Sequence, residues 1–289
     1  MDNPRRRRSR VLPAAAVVAG TALLSGCSAE QVGRGFLPGY ADGEVTNMTE
    51  RVTTLWTGSW VAALAVGLVV WGLVLWCVTV YRKRKDDDVL PVQLRYHVPL
   101  EVMYIVLPIL MIGVMFIYTA RDIDAISALE EDPDVVIEVY GKQWSWDFNY
   151  LDEDVHIAGI QAQYGPDGFI DGQNVPTLVL PVGKSVQIDL EARDVIHSFW
   201  VVDFLYKKDL IPGKSNVMYF TPTKEGSYLG KCAELCGVDH SRMLFNVKVV
   251  SPERYEQHLK DLVEKGQTGY VPAGIDQTEH EKNREANIL

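Results

Sequence analysis

Cysteine and histidine are scarce in this chain. Of its 289 residues, 4 are cysteine and 6 are histidine. No C-x-x-C-H sequence occurs, so the chain carries no covalently attached haem of the c type. Because these residues are so few, a close group of them is informative, and one such group lies between residues 232 and 243.

Positive charge is also scarce in the part of the chain that follows residue 120. Residues 121–289 contain 29 aspartates and glutamates against 16 lysines and arginines, a net charge of −13. Nucleic acid is an implausible partner for so acidic a region. Such a surface can attract a basic protein and speed its association, although a face kept soluble by its charge explains the same number.

Two apolar segments, 55–81 and 100–120, are each near the ~20 residues that a helix needs to cross a bilayer. The loop between them carries five basic residues, whereas the outer ends carry Arg51 and Arg121. Since basic residues favour the cytoplasmic side, we predict a transmembrane helical hairpin over residues 54–120 with both ends on the outer face. Two buried core helices are the alternative, which the length and the basic flanks disfavour.

The N-terminal segment has the pattern of an export signal. Residues 1–26 combine a basic start with a short apolar stretch, as in a cleaved signal peptide. The sequence LSGC that ends at Cys27 is similar to the lipobox of bacterial lipoproteins, in which cleavage leaves a lipid-bearing cysteine at the N-terminus. We predict that Cys27 is lipidated and that residues 27–53 form an exported linker; an ordinary signal peptide is the alternative.

Beyond residue 120 the pattern is mostly β. Short runs rich in Val, Ile, Tyr, Phe and Trp often alternate in polarity and are separated by Pro, Gly, Asp and Asn. This spacing predicts an exported β-sandwich or barrel over residues 121–266. One surface helix is expected to close it, with Ser251 as its cap and Gly266 at its end. Residues 267–289 are interpreted as a tail.

The sequence GKCAELCGVDHSRMLF brings Cys232, Cys236, His240 and Met243 close together in the chain. A disulfide between the cysteines, common in exported proteins, would close a very small loop and would leave the histidine and the methionine unexplained. Thiolate, imidazole and thioether ligands favour copper over hard cations, and His197, which begins an apolar run, can supply a second imidazole. Since two cysteines can bridge a pair of copper ions, we predict a dinuclear copper site.

From His197 to Met243 the sequence resembles subunit II of the cytochrome c oxidases, whose pattern runs H-S, D-x-I-P-G and C-x-E-x-C-G-x-x-H-x-x-M. The resemblance extends over residues 54–251 and includes GKQWSWDFNY. It implies a membrane-anchored all-β protein, in which a two-helix hairpin precedes a cupredoxin Greek-key domain. It also implies a CuA centre bridged by the two cysteines, with His197 and His240 as terminal ligands. Met243 and the backbone carbonyl of Glu234 would be the axial ligands.

The same resemblance implies a function. The chain would accept electrons from cytochrome c and pass them to haem in subunit I, where oxygen is reduced to water and protons are pumped. The donor would be a separate protein, either soluble or tethered to the membrane in a supercomplex with a bc-type complex. The expected location is the bacterial cell membrane, with the N-terminus and the copper domain on the outer face.

Three further residues receive roles from the resemblance. Trp144 would be the electron-entry residue, the Glu234 carboxylate would reach a magnesium ion shared with subunit I, and Glu101 would stand at the entrance of a proton pathway. The plain alternatives are a rim aromatic, a loop carboxylate and an interfacial carboxylate. Residues 151–176 depart from the family pattern because they are long and rich in Gly and Asp, and we expect them to contact a partner.

Related families are disfavoured by the same residues. Subunit II of the quinol oxidases lacks the copper ligands, and the CuA domain of nitrous oxide reductase lacks the membrane hairpin, whereas this chain has both. A protein of a different class, an exported copper carrier or storage protein, is the alternative function.

Overall fold

The computed structural model describes residues 28–38, 43–83 and 90–271. The predicted signal peptide, the predicted lipidation site Cys27 and most of the predicted tail lie outside these residues. The chain divides into two compact units, residues 1–37 and 38–289. In the first, the described part contains one short helix, α1 (Ala29–Gly33).

Two long helices, α2 (Thr49–Val80) and α3 (Val98–Ile126), form the predicted hairpin. Both are long and apolar enough to cross a membrane, and their apolar stretches are not covered by other parts of the chain. They extend beyond the predicted 54–120, because polar residues continue each helix past its apolar part. There, Arg51 Nη1 lies 2.7 Å from Asp122 Oδ1, so an ion pair joins the two helices.

The region after the hairpin forms twelve strands and a helix, α4 (Pro252–Glu264), among the described residues. The strands are β1 (Val135–Lys142), β2 (Ser145–Tyr150), β3 (Val155–Ile157), β4 (Gln163–Tyr164), β5 (Ile170–Asp171), β6 (Thr177–Pro181), β7 (Val186–Ala192), β8 (His197–Val201), β9 (Tyr206–Leu210), β10 (Asn216–Phe220), β11 (Gly226–Cys232) and β12 (Leu244–Val250).

Ten of these strands build two five-stranded sheets, in the orders β10-β7-β1-β2-β3 and β6-β12-β11-β8-β9. The pairs β1–β7 and β6–β12 are parallel, and the other pairs are antiparallel. Strands β4 and β5 form a separate two-stranded ribbon. The predicted fold class, a membrane hairpin followed by a β-sandwich, is confirmed.

The core between the sheets follows from the alternation of side chains along each strand. In β1, every second residue is buried, beginning with Val135. At one end of the core, the rings of Phe199 and Phe245 stack with centroids 4.8 Å apart, and Trp146 packs against both edge-on. This aromatic group lies beneath the predicted metal ligands, because Phe199 belongs to the strand that begins with His197.

Helix α4 confirms the predicted cap. The Ser251 hydroxyl accepts a hydrogen bond from the Arg254 amide at 3.5 Å, and a proline follows the cap in the first turn. Tyr255, Leu259 and Leu262 are the buried residues of this helix, and their spacing places them on one face. The helix ends at Glu264, just before Gly266, which has a φ of 72°.

Candidate metal centre

The predicted ligands come from the ends of three neighbouring strands. His197 begins β8, Cys232 ends β11, and Met243 immediately precedes β12. Because β11 lies between β8 and β12, these three ends meet at one edge of the sheet. The Cys232 amide donates to the Met243 carbonyl at 3.0 Å, and the Ala233 amide donates to the Ser198 carbonyl at 3.0 Å. These hydrogen bonds fix the start and the end of the loop between β11 and β12.

The ligand atoms converge as the sequence predicts. The Sγ atoms of Cys232 and Cys236 are 3.8 Å apart and both cysteines are free. His197 Nδ1 lies 3.9 Å from Cys232 Sγ, and His240 Nδ1 lies 3.6 Å from Cys236 Sγ. The Met243 Sδ atom lies 3.7 Å from Cys236 Sγ. The two sulfurs therefore have one imidazole each, and the thioether approaches from the Cys236 side.

The backbone carbonyl of Glu234 also faces this group, with its oxygen 3.1 Å from Cys232 Sγ. Among the described residues, His197, Cys232 and Cys236 form a group whose ligand atoms all lie within 4.8 Å of one another, as a bound metal would require. All three are buried, and so is Met243. The donor set of two sulfurs, two imidazoles, a thioether and a carbonyl is the kind that soft transition metals prefer.

Asp194 is a residue of the candidate site that the sequence reasoning missed. Its Oδ1 atom lies 2.7 Å from His197 Nε2, and its Oδ2 atom accepts a hydrogen bond from the Gln143 amide at 2.6 Å. Because Nε2 is engaged by Asp194, Nδ1 is the nitrogen that faces Cys232. Metal-binding histidines usually have such an outer partner, which sets the ring orientation. The D-x-x-H spacing was the signal in the sequence.

The two cysteines differ in acidity. Burial opposes the ionisation of Cys232, but hydrogen bonds with His197 and with the backbone outweigh it, so the pKa of Cys232 lies below its usual value. Burial, and then the neighbouring charge of Cys232, raise the pKa of Cys236 to about 12. Burial would lower the pKa of His197, yet the hydrogen bond with Asp194 raises it overall. Without metal, Cys236 therefore holds a proton that must leave before its sulfur can bind.

Trp144 directly contacts the loop between β11 and β12, residues 233–243, which we call the ligand loop. Its indole Nε1 donates to the carbonyl of Cys236 at 3.3 Å, and the Gln143 side-chain amide donates to the same oxygen at 2.7 Å. A Cβ at Gly237 would lie 3.0 Å from the Trp144 ring, and this glycine has a φ of 132°. The loop can thus approach the indole closely because residue 237 has no side chain. The structure brings Trp144 to the candidate site.

Neither predicted carboxylate belongs to the group formed by His197, Cys232 and Cys236. The Glu101 carboxylate accepts a hydrogen bond from the His97 amide at 3.0 Å at the start of α3, where it caps the helix. The Glu234 side chain is exposed in the loop between the cysteines. These positions are compatible with the plain alternatives as well as with the predicted roles.

A cluster of charged residues around the buried Asp147 lies next to Asp194 in the structure. Asp147, on β2, is fully buried and pairs with Lys142 Nζ at 2.8 Å and with Arg193 Nη2 at 3.1 Å. Its Oδ1 atom also accepts a hydrogen bond from the Gly159 amide at 2.9 Å. Since Arg193 precedes Asp194 in the chain, this cluster fixes the backbone that presents Asp194 to His197.

Comparison with known proteins identifies relatives over the whole chain. Residues 135–250 match the family model described as "Cytochrome C oxidase subunit II, periplasmic domain". The chain is 48% identical to the "Probable cytochrome c oxidase subunit 2" of Streptomyces coelicolor, with 99% of this chain and 96% of the relative covered. It is 35% identical to the protein of the same name from Nocardia farcinica, with 89% and 83% covered.

Among solved structures, a similar one is the periplasmic domain of subunit II of cytochrome oxidase (CoxB) of Bradyrhizobium japonicum. It is 31% identical, has a TM-score of 0.42, and covers 47% of this chain and 99% of that chain.

Proposed function

The chain belongs to the cytochrome c oxidase subunit 2 family, and from this premise we propose that it accepts electrons from cytochrome c at a dinuclear CuA centre. In this proposal the electrons pass to haem in subunit I, where oxygen is reduced to water and protons are pumped. The catalytic oxygen site would lie in subunit I, so this chain would be the electron-receiving subunit of the complex.

The observation that carries the proposal is the pairing of each cysteine sulfur with its own imidazole. Cys232 and Cys236 would hold both metal ions, and His197 and His240 would each bind one of them. Met243 and the Glu234 carbonyl would be the weaker ligands. When bound, a thiolate-bridged copper pair supplies one-electron transfer with little change in the metal–ligand bonds.

The protein's own residues suit such a centre because they hold the ligands in place and bury most of them, although His240 is only half-buried. His197 and Met243 are fully buried, and the two cysteines are 4% exposed. Asp194 fixes the His197 ring, and the hydrogen bond from Cys232 to the Met243 carbonyl fixes the two ends of the loop. A ligand set held in this way moves little when the charge of the site changes.

Metal content tests the central proposal. The full chain should bind two coppers and have the purple colour of a mixed-valence pair when oxidised. Cys236→Ser should abolish the centre because a hydroxyl cannot replace a bridging thiolate, and Met243→Leu should retain copper with a changed reduction potential. Cys77→Ser is the control, since this exposed cysteine lies in α2. One copper per chain, or a blue mononuclear spectrum, would contradict the proposal. An unchanged spectrum in Cys236→Ser would show that Cys236 is not a ligand.

Electron entry is proposed to occur through Trp144, and its hydrogen bond to the Cys236 carbonyl supports this role. Trp144→Leu should slow the oxidation of cytochrome c strongly but leave the copper spectrum and turnover with a small reductant nearly intact. Trp200→Leu is a matched control, because this half-buried tryptophan instead lies against Lys231. Unchanged turnover with cytochrome c in Trp144→Leu would place electron entry elsewhere, and loss of the copper spectrum would favour a packing role.

Four further assignments complete the proposal. Glu101 would stand at a proton pathway, the Glu234 carboxylate would bind magnesium shared with subunit I, residues 151–176 would contact a partner, and Cys27 would carry a lipid. The hairpin would place the N-terminus and the copper domain on the outer face of the bacterial membrane. Purification with a membrane-tethered donor would indicate a supercomplex. Loss of proton pumping in Glu101→Gln, with electron transfer retained, would support the pathway role.

A further inference from the structure

Arg242 lies between two proposed ligands in the chain, yet its side chain contacts a different part of the domain. Its Nε atom donates to the Ala162 carbonyl at 2.8 Å, and its Nη2 atom donates to Gln163 Oε1 at 3.5 Å. The guanidinium carbon lies 4.8 Å from the centre of the Tyr164 ring. All three partners belong to residues 151–176, which we call the insert.

The contact between Arg242 and the insert is reciprocal. The Ala162 amide donates to the Arg242 carbonyl at 3.3 Å, so the same two residues are joined by both a backbone and a side-chain hydrogen bond. Nη1 of Arg242 pairs with Asp239 Oδ1 at 3.2 Å, within the ligand loop. The Arg242 side chain is 14% exposed and Ala162 is fully buried. Loss of the guanidinium would therefore leave the carbonyl of the buried Ala162 without its side-chain donor.

The insert makes further hydrogen bonds to residues on β2 and β12. The Gly159 amide donates to Asp147, and the Asn246 side-chain amide donates to the Gly172 carbonyl at 3.1 Å. The Asn246 amide also donates to the Pro176 carbonyl at 2.9 Å. The insert is thus held on both sides of its contact with Arg242.

Through Arg242, the insert reaches the backbone of a proposed ligand. Met243 follows Arg242 directly, and its carbonyl accepts hydrogen bonds from the Cys232 amide at 3.0 Å and from Trp146 Nε1 at 3.4 Å. The Met243 amide donates to the His240 carbonyl at 3.2 Å. A displacement of Arg242 would therefore change the position of the Met243 backbone.

We propose that Arg242 is a positioning residue that ties the insert to the ligand loop, so that the insert braces the Met243 side of the metal centre. The effect on copper rests on the function proposed above. The brace itself is a property of the polypeptide, so it can be tested with and without metal.

The first test measures hydrogen exchange in the metal-free full chain in detergent. It compares Arg242→Met, which loses the charge and all the guanidinium donors, with Arg242→Lys, which keeps the charge on a single ammonium group. Hydrogen exchange should accelerate by roughly tenfold or more in Arg242→Met, both in residues 159–164 and in residues 239–244, as expected when a charge-assisted hydrogen bond is lost. Arg242→Lys should fall between this variant and the wild type. Arg254→Met, at an exposed position on α4, is the control and should leave both segments unchanged. If hydrogen exchange in Arg242→Met accelerated in the insert alone, or in neither segment, the proposal that Arg242 ties the insert to the ligand loop would be overturned.

The second test measures the reduction potential and the spectrum of the copper-loaded chain. Arg242→Met should bind copper but shift the potential in the same direction as Met243→Leu, with Arg242→Lys intermediate. A wild-type potential and spectrum in Arg242→Met would overturn the proposal that the brace acts on the metal centre. Should Arg242→Met not fold, the comparison of Arg242→Lys with Arg254→Met decides the matter in the same way. If the wild type binds no copper pair, the proposed function fails. The hydrogen-exchange experiment would still test whether Arg242 ties the insert to the ligand loop, because it uses the metal-free chain.

Discussion

A single added methyl group at Gly141, which is not a proposed ligand, should disturb the candidate metal centre. Gly141 lies near the end of β1, and a Cβ there would lie 2.9 Å from His197 Cδ2 and 3.1 Å from both His197 Cγ and Leu210 Cδ2. Ordinary carbon–carbon contact is about 3.5–4.0 Å, so the ring or the strand would have to move by roughly 0.6–1.1 Å in Gly141→Ala. The His197 ring has little room, because its side chain is fully buried and Asp194 holds it at 2.7 Å.

Two opposing effects act in this variant. Replacing a glycine by alanine restricts the unfolded chain and would stabilise the fold by about 0.4–1 kcal/mol if space were available. Overpacking of a filled site usually costs about 1–3 kcal/mol. We expect this cost to exceed the gain from the restricted unfolded chain, because the contacts involve a buried ring and a buried leucine. Gly141→Ala should therefore lower the free energy of unfolding by about 1–2 kcal/mol and also change the copper spectrum, because His197 moves relative to Cys232.

Urea unfolding of the metal-free chain and optical and EPR spectra of the copper-loaded chain measure the two effects. Gly172→Ala is the control, since a Cβ at that position meets nothing within 4 Å. If Gly141→Ala were as stable as Gly172→Ala and had the wild-type copper spectrum, our view that His197 is held in a filled site would be refuted. A destabilised chain with an unchanged spectrum would show that the strand moves and the ring does not.

The remaining predictions concern charge, protons and processing. Asp147→Ala should lower the free energy of unfolding by about 3–5 kcal/mol in urea titrations, since it leaves Lys142 and Arg193 without their buried partner; a surface-like loss below 1 kcal/mol would contradict the buried ion cluster. Copper affinity should rise with pH at neutral and mildly alkaline values, because copper must displace the proton from Cys236, whose pKa is about 12. Copper binding that does not depend on pH would contradict a raised pKa of Cys236. The metal-free fold should lose stability as pH rises from about 8.5, the usual thiol pKa, because the folded state retains the Cys236 proton more tightly than the unfolded chain. Mass spectrometry should find an N-terminal peptide that starts at Cys27 and carries a diacylglyceryl group, and an unmodified N-terminus would refute the lipid anchor.

Local patterns in the sequence predicted the hairpin and named most of the proposed ligands. The apolar segments predict α2 and α3 by their composition, because an apolar stretch of about 20 residues is long enough to cross a bilayer as a helix. Cys232, Cys236, His240 and Met243 lie in one loop, so their spacing in the chain limits how far apart they can be in space. The helix cap at Ser251 is local in the same way, since a cap depends on the residues of one turn.

Local spacing does not fix contacts between distant residues, although the apolar run that His197 begins and the family resemblance did suggest His197 as a ligand. His197 and Cys232 are 35 positions apart, and they meet because β8 and β11 pair in one sheet. The Trp144 indole contacts a carbonyl 92 positions away, and Arg242 holds a carbonyl 80 positions away. The family resemblance pointed to Trp144, but nothing in the chain near Arg242 indicated that it contacts the insert.

The sequence by itself determined the chemistry of the site, because ligand types and their local spacing are properties of the chain. Only the tertiary structure decided how the side chains are oriented. It determined which nitrogen of His197 faces Cys232 and which segment supports Met243. Orientation depends on strand register and on packing between sheets, where each contact joins residues that are remote in sequence. For this reason the contact between Arg242 and the insert was visible only in the fold. Asp194 lies three residues before His197, so its D-x-x-H spacing was a local signal that the sequence did contain.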